Sequence, residues 1–559
     1  MKLSYLIAAV LLLLSAIAAF IYLDSRALSS EEARARLEAP SSVDWMSIKD
    51  DPDKRIDISW MPLPRYPNGG ADAYAERKLE KLFNVDIKPI LLDKAGYGQR
   101  KPMLFAAGDI PDLVWNGNPG DVQKDIFHGC IEPIPLELIY RYAPGYFELI
   151  SHEAPMGWLY ASYGNENWGL PLMWLDGALS TPGVWRKDWL EAVGIDKEPE
   201  TLEEFEEAFR RFTFDDPDGN GRDDTYGLTN TTIGWHLMFS EFFGAFGVLP
   251  FDWMEKDGRI VWGGITPEAK QALAVLRRWN EEGLLDPEWL TDGLGERRRL
   301  KEKFMSGRIG YAYSLGIYDE FDPLAPASLV NVLAQLNPDA EAMPAALPVG
   351  PGGERGVRSW GTASNIYVAG PGVVEEPLRL IRILKMLEHQ VGVDEETYLN
   401  FRYGEKGVHW DHAIPDDQPG GGAASGIVRL EPYVEERDFQ KEVLTIWGVG
   451  VPEFEDRNVS QEKLDFNRRY RSPKYGLINA IGRPAMTPAA QIYLEDLRAW
   501  QLRVYTEIIR GNLPLDYFDE FKEEWLRRGG AEMTEEAQHV LVRKEELAAK
   551  IDQIMEGGQ

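Results

Sequence analysis

The stretch FAAGDIPDLVW, residues 105–115, takes the chain from the end of a predicted helix into a short predicted strand. Upstream of it, apolar spacing of period two alternates with helical spacing, which predicts strands and helices in turn. These predicted elements are a strand at 56–60, a helix at 71–84, a strand at 85–87, a helix at 98–107 and a strand at 111–115. Strands that alternate with helices at this spacing predict a parallel α/β sheet.

Further helices are predicted in the rest of the chain, which contains no internal repeat. Thr201 and Glu204 form a capping box at the start of one of these helices. Pro488 at the first turn and Gly511 after the last turn bound the longest one. The predicted helices lie at 185–193, 201–212, 267–282, 377–389 and 487–510. The chain is therefore expected to be a large α/β protein.

Composition narrows the class of protein. A length of 559 residues indicates two or three domains, or one large two-lobed unit. The net charge of −31, from 60 basic and 91 acidic residues, would repel a polyphosphate, so we expect no nucleic-acid partner. The single cysteine, Cys130, excludes an internal disulfide framework and a cysteine-rich zinc site.

The N-terminus predicts export. Residues 3–23 form an apolar run that is long enough to cross a bilayer, with Lys2 before it. Ala16-Ile17-Ala18 is a possible signal-peptidase site, but the apolar run continues past it, which favours an uncleaved membrane anchor over a cleaved signal. We expect a periplasmic or cell-surface protein with this segment in the cytoplasmic membrane. Because no cysteine follows the run, we expect it not to be a lipoprotein. Residues 24–44 are interpreted as a polar stalk.

Several segments, taken in order, resemble the extracellular solute-binding proteins of ABC sugar importers, in particular the large subgroup that takes oligosaccharides. The resemblance covers about 480 residues behind the export signal. The segments are AAGDIPD at 106–112, WGLPL at 168–172, WRKDWL at 185–190, SGRIG at 306–310, YGEKGVHW at 403–410 and the helix pair at 505–521.

This resemblance implies a two-lobed periplasmic-binding-protein fold of type II, with the ligand in the cleft between two hinged lobes. The implied first lobe comprises 45–175 and 364–412, and the second comprises 176–363 and 413–540. The chain crossings would lie near 170–180 and 357–367. The implied function is to bind an oligosaccharide and deliver it, as a monomer, to the permease subunits of an ABC transporter.

The segment DPDGNGRDD, residues 216–224, has the spacing of a calcium loop. Side-chain oxygens fall at positions 1, 3, 5 and 9, with a backbone carbonyl at position 7 and Gly221 at position 6. The candidate ligands are Asp216, Asp218, Asn220, Arg222 (through its carbonyl) and Asp224. Position 12 is Gly227 rather than glutamate, so this is not a complete EF-hand. The alternative is a solvated acidic turn. We expect a structural Ca²⁺, and loops like this hold calcium in the family just named.

Aromatic rings are candidates for stacking on the apolar faces of sugar rings. They lie at the ends of predicted strands, at the two implied crossings, and in the segments that carry the resemblance. The candidates are Trp115, Trp168, Trp174, Tyr313, Trp360 and Trp410. For each of them, packing in the protein core is the alternative.

An enzyme is the competing function. The sequence lacks the common hydrolase, metalloprotease and nucleotide-binding motifs. A pair of catalytic carboxylates of the glycosidase type stays open, because 91 acidic residues make accidental pairs inevitable. The alternative function is therefore an exported, calcium-stabilised carbohydrate-active enzyme, a glycosidase or a lyase.

Overall fold

The computed structural model divides the chain into two compact units. Unit 1 comprises residues up to Leu175, Thr362–Ser460 and the chain from Glu545 on; unit 2 comprises Asp176–Gly361 and Gln461–Lys544. The predicted anchor at 3–23 lies outside the described residues, and so does nearly all of the predicted stalk. The structure describes residues 43–63, 73–92, 94–116, 119–230, 238–290, 296–323, 325, 327–391, 394–414, 422–435, 438–439, 448–482 and 487–557.

The structure differs from the predicted lobes at residues 413–460, which belong to unit 1. Trp410–His412 pairs antiparallel with Ile427–Arg429, so the chain after residue 412 is held by a strand of the same unit. Glu455 accepts hydrogen bonds from the hydroxyls of Tyr398 and Tyr403. These long-range contacts have no local pattern in the sequence.

The strands are short, and they are numbered here in chain order. They are β1 (Ile56–Met61), β2 (Val85–Pro89), β3 (Leu113–Asn116), β4 (Ser162–Tyr163), β5 (Glu166–Asn167), β6 (Leu170–Met173), β7 (Val184–Arg186), β8 (Tyr226–Leu228), β9 (Trp253–Lys256), β10 (Arg259–Trp262), β11 (Ile309–Ala312), β12 (Ala342–Pro344), β13 (Val357–Arg358), β14 (Ala363–Ala369), β15 (Trp410–His412), β16 (Ile427–Arg429) and β17 (Gly476–Leu477).

The α-helices surround these strands. They are Tyr74–Phe83, Lys94–Ala107, Pro119–Phe127, Leu136–Tyr142, Pro144–Glu153, Met156–Ala161, Lys187–Ala192, Leu202–Phe214, Ser240–Gly244, Pro267–Glu281, Glu296–Met305, Leu329–Leu336, Gly372–Glu375, Leu378–Val391, Glu395–Tyr403, Pro452–Arg457, Gln461–Tyr470, Pro488–Ile509, Tyr517–Trp525 and Ala531–Gly557. Within the described ranges, no helix combines the length and the hydropathy that a membrane span requires.

Unit 1 is built on a mixed sheet with the strand order β2-β1-β3-β14-β6. The predicted strand–helix–strand succession is confirmed, because β1 pairs in parallel with both β2 and β3. Strand β14 is antiparallel to β3 and to β6, so the sheet is not wholly parallel. Ile58, Leu113 and Val114 are fully buried in this sheet. The carboxyl ends of β1, β2 and β3 lie at one edge of the sheet, where ligands of α/β proteins usually bind.

Unit 2 is built on a second sheet with the order β12-β7-β11-β8. The sequence predicted one helix at 185–193, but the structure begins this segment with strand β7 and starts the helix at Lys187. Trp185 lies in β7, is fully buried, and packs 4.5 Å from the ring centre of Tyr311 in β11. Burial of this ring in the sheet outweighs the local helical spacing.

Candidate functional site

Trp115 closes the edge of the unit 1 sheet where the parallel strands end. It is half-buried, and its ring meets Tyr97 edge-on at 5.3 Å between ring centres. The Tyr97 hydroxyl donates a hydrogen bond to the Trp115 backbone carbonyl, which holds the Tyr97 ring against the indole. Within the described residues the indole Nε1 of Trp115 has no acceptor. Trp115 therefore has a fixed ring at the position where the sequence predicts a ligand contact.

A buried polar network stands next to Trp115 and was missed by the sequence analysis. The Lys101 ammonium lies 2.8 Å from Asp125 Oδ2, and the Asn116 amide donates to the same oxygen at 3.0 Å. Burial raises the pKa of Asp125, although Lys101 opposes that shift. The network fixes the end of β3. The only local signal is Asn116, directly after the strand predicted at 111–115, because Lys101 and Asp125 come from two separate helices.

Trp174 follows β6 and is 50% exposed. Its backbone N–H donates to the Thr362 carbonyl at 2.8 Å, so the tryptophan sits beside the start of β14 in the same unit. Trp168, six residues earlier, is buried, and its indole donates to the Tyr163 carbonyl at 3.0 Å. Of these two predicted residues, Trp174 alone leaves a large part of its ring accessible.

Trp360 lies in unit 2, two residues after the end of β13, and is 47% exposed. Its N–H donates to the Gly177 carbonyl at 3.0 Å. The Arg358 guanidinium lies 3.9 Å from the centre of the Trp360 ring, and its Nε donates to Asp252 at 2.7 Å. Burial alone would raise the pKa of Asp252, but Arg358 holds that pKa below its ordinary value. A buried ion pair therefore supports one face of an exposed tryptophan.

Tyr313 and Trp410 complete the predicted set, and both are buried. The Trp410 indole donates to the Gly404 carbonyl at 2.8 Å, so it serves the packing of unit 1. Trp168, Tyr313 and Trp410 thus lie in the protein interior. The exposed and half-buried members are Trp115 and Trp174 in unit 1 and Trp360 in unit 2. These three remain the candidates for a direct ligand contact.

The predicted calcium loop follows the helix Leu202–Phe214 and turns tightly. Asp216, Gly219 and Gly221 have positive φ values of 48°, 66° and 74°. The two glycines adopt this conformation without strain from a side chain. The Asp216 carboxylate accepts backbone hydrogen bonds from Asn220 and Gly221 at 3.1 and 2.9 Å. The loop is therefore folded around its own acidic side chains.

Asn220 lies among the carboxylates of this loop. Its amide nitrogen is 2.8 Å from Asp218 Oδ2 and 3.1 Å from Asp224 Oδ1. In the residues that the structure covers, no group of three or more His, Cys, Asp or Glu side chains is close enough to hold a metal ion. The donor types suit a hard cation, since they are carboxylate and amide oxygens. Binding would require the Asn220 amide to turn its oxygen towards the ion.

Comparison with known proteins identifies the class of fold. No family model matches the sequence. The chain is similar to the polygalacturonan/rhamnogalacturonan-binding protein YtcQ of Bacillus subtilis, with 25% identity over 370 residues, 64% of this chain and 68% of that protein. It is also similar to lipoprotein LipO of the same organism, with 22% identity over 486 residues, 82% of this chain and 86% of that protein.

Solved structures have the same fold. The substrate-binding protein FusA of an S. pneumoniae ABC transporter, in complex with kestose, has a TM-score of 0.60 at 16% identity. An HMO-binding solute-binding protein associated with an ABC transporter of Bifidobacterium longum infantis has a TM-score of 0.65 at 15% identity. Each match covers 88% of this chain and 99% of the other. The chain has the two-lobed fold of these proteins, and its predicted resemblance to sugar-importer solute-binding proteins is confirmed.

The predicted localisation is wrong where it excluded a lipoprotein. LipO, a lipoprotein by name, matches this chain over 82% of its length. The exclusion rested on one local feature, the lack of a cysteine directly after residue 23.

Calcium is associated with two of the neighbouring structures. One is an EF-hand mutant of FusA, and the other is the alginate-binding protein AlgQ2 without its calcium ion. They show that proteins of this fold include calcium-binding members.

Proposed function

We propose that this protein binds an oligosaccharide and delivers it, as a monomer, to the permease of an ABC transporter. The observation that carries the proposal is the two half-exposed tryptophans, Trp174 and Trp360, in a chain that has the fold of the kestose complex of FusA and is similar in sequence to YtcQ. Tryptophan is usually buried, so a ring that is left half-exposed on a hydrogen-bonded backbone suits a stacking role.

Two of the three candidate rings are positioned by side-chain contacts, and the backbone of the third is held by a hydrogen bond, in each case within its own unit. Trp115 rests against Tyr97, Trp174 is held through Thr362, and Trp360 lies on Arg358. A ring that is already fixed loses little conformational freedom when a sugar stacks on it, which favours affinity. We assign these three side chains to the ligand contact.

Titration calorimetry against a panel of neutral and acidic oligosaccharides tests the function. Products are analysed on the same samples by mass spectrometry. Binding with the oligosaccharide recovered intact supports the transport function. Turnover of the bound oligosaccharide would instead favour the carbohydrate-active enzyme, and no binding to any member of the panel would contradict the proposal.

We also propose that the loop 216–224 binds a structural Ca²⁺ ion. Three carboxylates, one amide oxygen and the Arg222 carbonyl would provide the ligands at calcium-loop spacing. The ion would neutralise carboxylates that otherwise repel one another, and would tie the helix Leu202–Phe214 to strand β8. Its role is therefore stability and not catalysis.

A further inference from the structure

A group of cations lies on the same ribbon of chain as Trp360 in unit 2. Strand β13 pairs in parallel with β17, so that Val357 stands opposite Gly476 and Arg358 opposite Leu477. Arg355 comes just before β13, and Lys474 and Tyr475 come just before β17. This register brings the three side chains together at one end of the ribbon, while Trp360 follows at the other end.

The two cations converge on one aromatic ring. The Arg355 guanidinium is 5.4 Å and the Lys474 ammonium 4.7 Å from the centre of the Tyr475 ring. Lys474, with Arg355 in addition, lowers the pKa of Tyr475 against the opposing effect of burial. Both cations therefore act on the phenol hydroxyl as well as on the ring.

Neither cation has a carboxylate partner in the part of the chain that the structure describes. The Arg355 Nε is buried and has no hydrogen-bond acceptor among those residues. Nearby basic residues differ, since Arg469 lies 3.0 Å from Glu198 and Arg471 lies 3.9 Å from Asp176. In a chain with 91 acidic residues, two neighbouring cations without an acid are conspicuous.

Because both positive charges lie near the same ring, they repel each other, and an anion bound by both would offset that repulsion. The donors suit a planar anion, because a guanidinium, an ammonium and a phenol O–H can each donate to an oxygen. We propose that Arg355, Lys474 and Tyr475 form a subsite for the carboxylate of an acidic oligosaccharide whose sugar ring stacks on Trp360. This inference rests on the proposed function and makes its substrate class specific.

The ribbon has suitable dimensions for such a ligand. Trp360 lies five positions after Arg355, which is at most about 16 Å of chain at roughly 3.3 Å per residue. One oligosaccharide of a few rings spans that distance, so a charged ring at Tyr475 and a stacked ring at Trp360 can belong to the same molecule. The carboxylate subsite would then select the sugar, and the tryptophan would add contact area.

The test is titration calorimetry on the full chain with trimers of galacturonate and of guluronate, each compared with its carboxyl-reduced neutral counterpart. Arg355→Ala and Lys474→Ala should each weaken binding of an acidic trimer by about tenfold, as expected for loss of a charge-assisted hydrogen bond. Binding of the neutral counterpart should stay unchanged. Raising the salt concentration should weaken only the acidic ligand.

Arg468→Ala is the matched control, because it removes an equal charge whose partner, Asp465, lies on the same exposed helix. Lys474 is exposed, so its replacement leaves the core intact, and thermal melting verifies folding of both variants. Wild-type affinity of both variants for the acidic trimers would overturn the subsite, as would equal binding of acidic and neutral trimers. In those cases oligosaccharide binding itself still stands. Binding to no oligosaccharide of any kind would overturn the proposed function and the subsite with it.

Discussion

The Arg358 guanidinium stacks on Trp360 at 3.9 Å while its Nε donates to the buried carboxylate of Asp252 at 2.7 Å. The Asn479 amide donates to the same carboxylate at 2.9 Å. Asp252 thus orients Arg358, and Arg358 supports the ring. This arrangement connects the stability of unit 2 with the position of a candidate ligand contact.

Trp360→Ala should weaken oligosaccharide binding by about 1–3 kcal/mol, the usual loss for an aromatic anchor. The fold should persist, because half of the side chain is already in solvent. Calorimetry measures the affinity. Phe214→Ala is the control, since Phe214 is an exposed aromatic residue of the same unit, at 58% exposure. An equal loss in both variants would remove Trp360 from the ligand site.

Trp115→Ala should produce a similar loss of affinity in unit 1, about 1–3 kcal/mol. Tyr97→Phe removes only the hydroxyl that donates to the Trp115 carbonyl, so it should reduce the oligosaccharide affinity less, by loosening the position of the Trp115 ring. Titration of both variants with the same oligosaccharide measures the difference. A folded Trp115→Ala variant with wild-type affinity would exclude this residue from the contact.

Arg358→Ala should destabilise the protein by about 3–5 kcal/mol, because it removes the guanidinium that donates to the buried Asp252 carboxylate. Asp252→Asn added to that variant should restore part of the loss. Urea unfolding at pH 7 measures both. Arg468→Ala breaks an exposed pair and should cost no more than about 1 kcal/mol.

The same pair predicts sensitivity to acid. The pKa of Asp252 is lower in the folded protein than its ordinary value of 3.8, so its contribution is present above that pH. This stabilisation should be lost as the pH falls through the pKa that Asp252 has in the folded protein. Wild-type stability that is lost no more steeply in acid than that of the double variant would contradict this assignment.

Glu241 should make unit 2 less stable as the pH rises. Burial raises the pKa of Glu241 from 4.5 to about 8, and its one described partner is the Tyr311 hydroxyl at 2.7 Å. Between these pH values the folded protein keeps a proton that the unfolded chain loses, so unfolding is favoured by at most about 1.4 kcal/mol per pH unit.

Glu241→Gln removes this titration while retaining the shape of the side chain. The variant should be more stable than the wild type at pH 8, and the two should converge towards pH 4.5. Chemical unfolding at a series of pH values gives the difference between the two proteins. A difference that does not change with pH would show that Glu241 stays ionised in the fold.

Removal of calcium should lower the melting temperature. At a calcium concentration of about 100 times the dissociation constant, the linked stabilisation is about 2.7 kcal/mol. Asp218→Ala should abolish the effect of EDTA without changing oligosaccharide affinity. Asp223→Ala is the matched control, since Asp223 belongs to the same loop but not to the candidate ligands. If the wild type melts at the same temperature in EDTA and in millimolar calcium, the loop 216–224 is an acidic turn that does not bind calcium.

The sequence by itself determined the α/β class, the first three parallel strands and the order of the segments that resemble sugar-importer solute-binding proteins. These features are local, because strand and helix periods, caps and turn residues are set within a few positions. The helix Leu202–Phe214, for example, begins at the predicted Thr201–Glu204 capping box.

The tertiary structure decided the features that depend on distant parts of the chain. Strand β14 is antiparallel to its neighbours in the unit 1 sheet, and Trp185 lies in a strand rather than in the predicted helix. In both cases the packing of a whole sheet outweighs the local spacing of apolar residues. The sequence predicted six aromatic ligand contacts, but only the solvent exposure in the folded protein distinguishes the accessible Trp174 and Trp360 from the buried Trp168. The convergence of Arg355 and Lys474 on Tyr475 likewise arises from the pairing of β13 with β17, two strands that are more than a hundred residues apart.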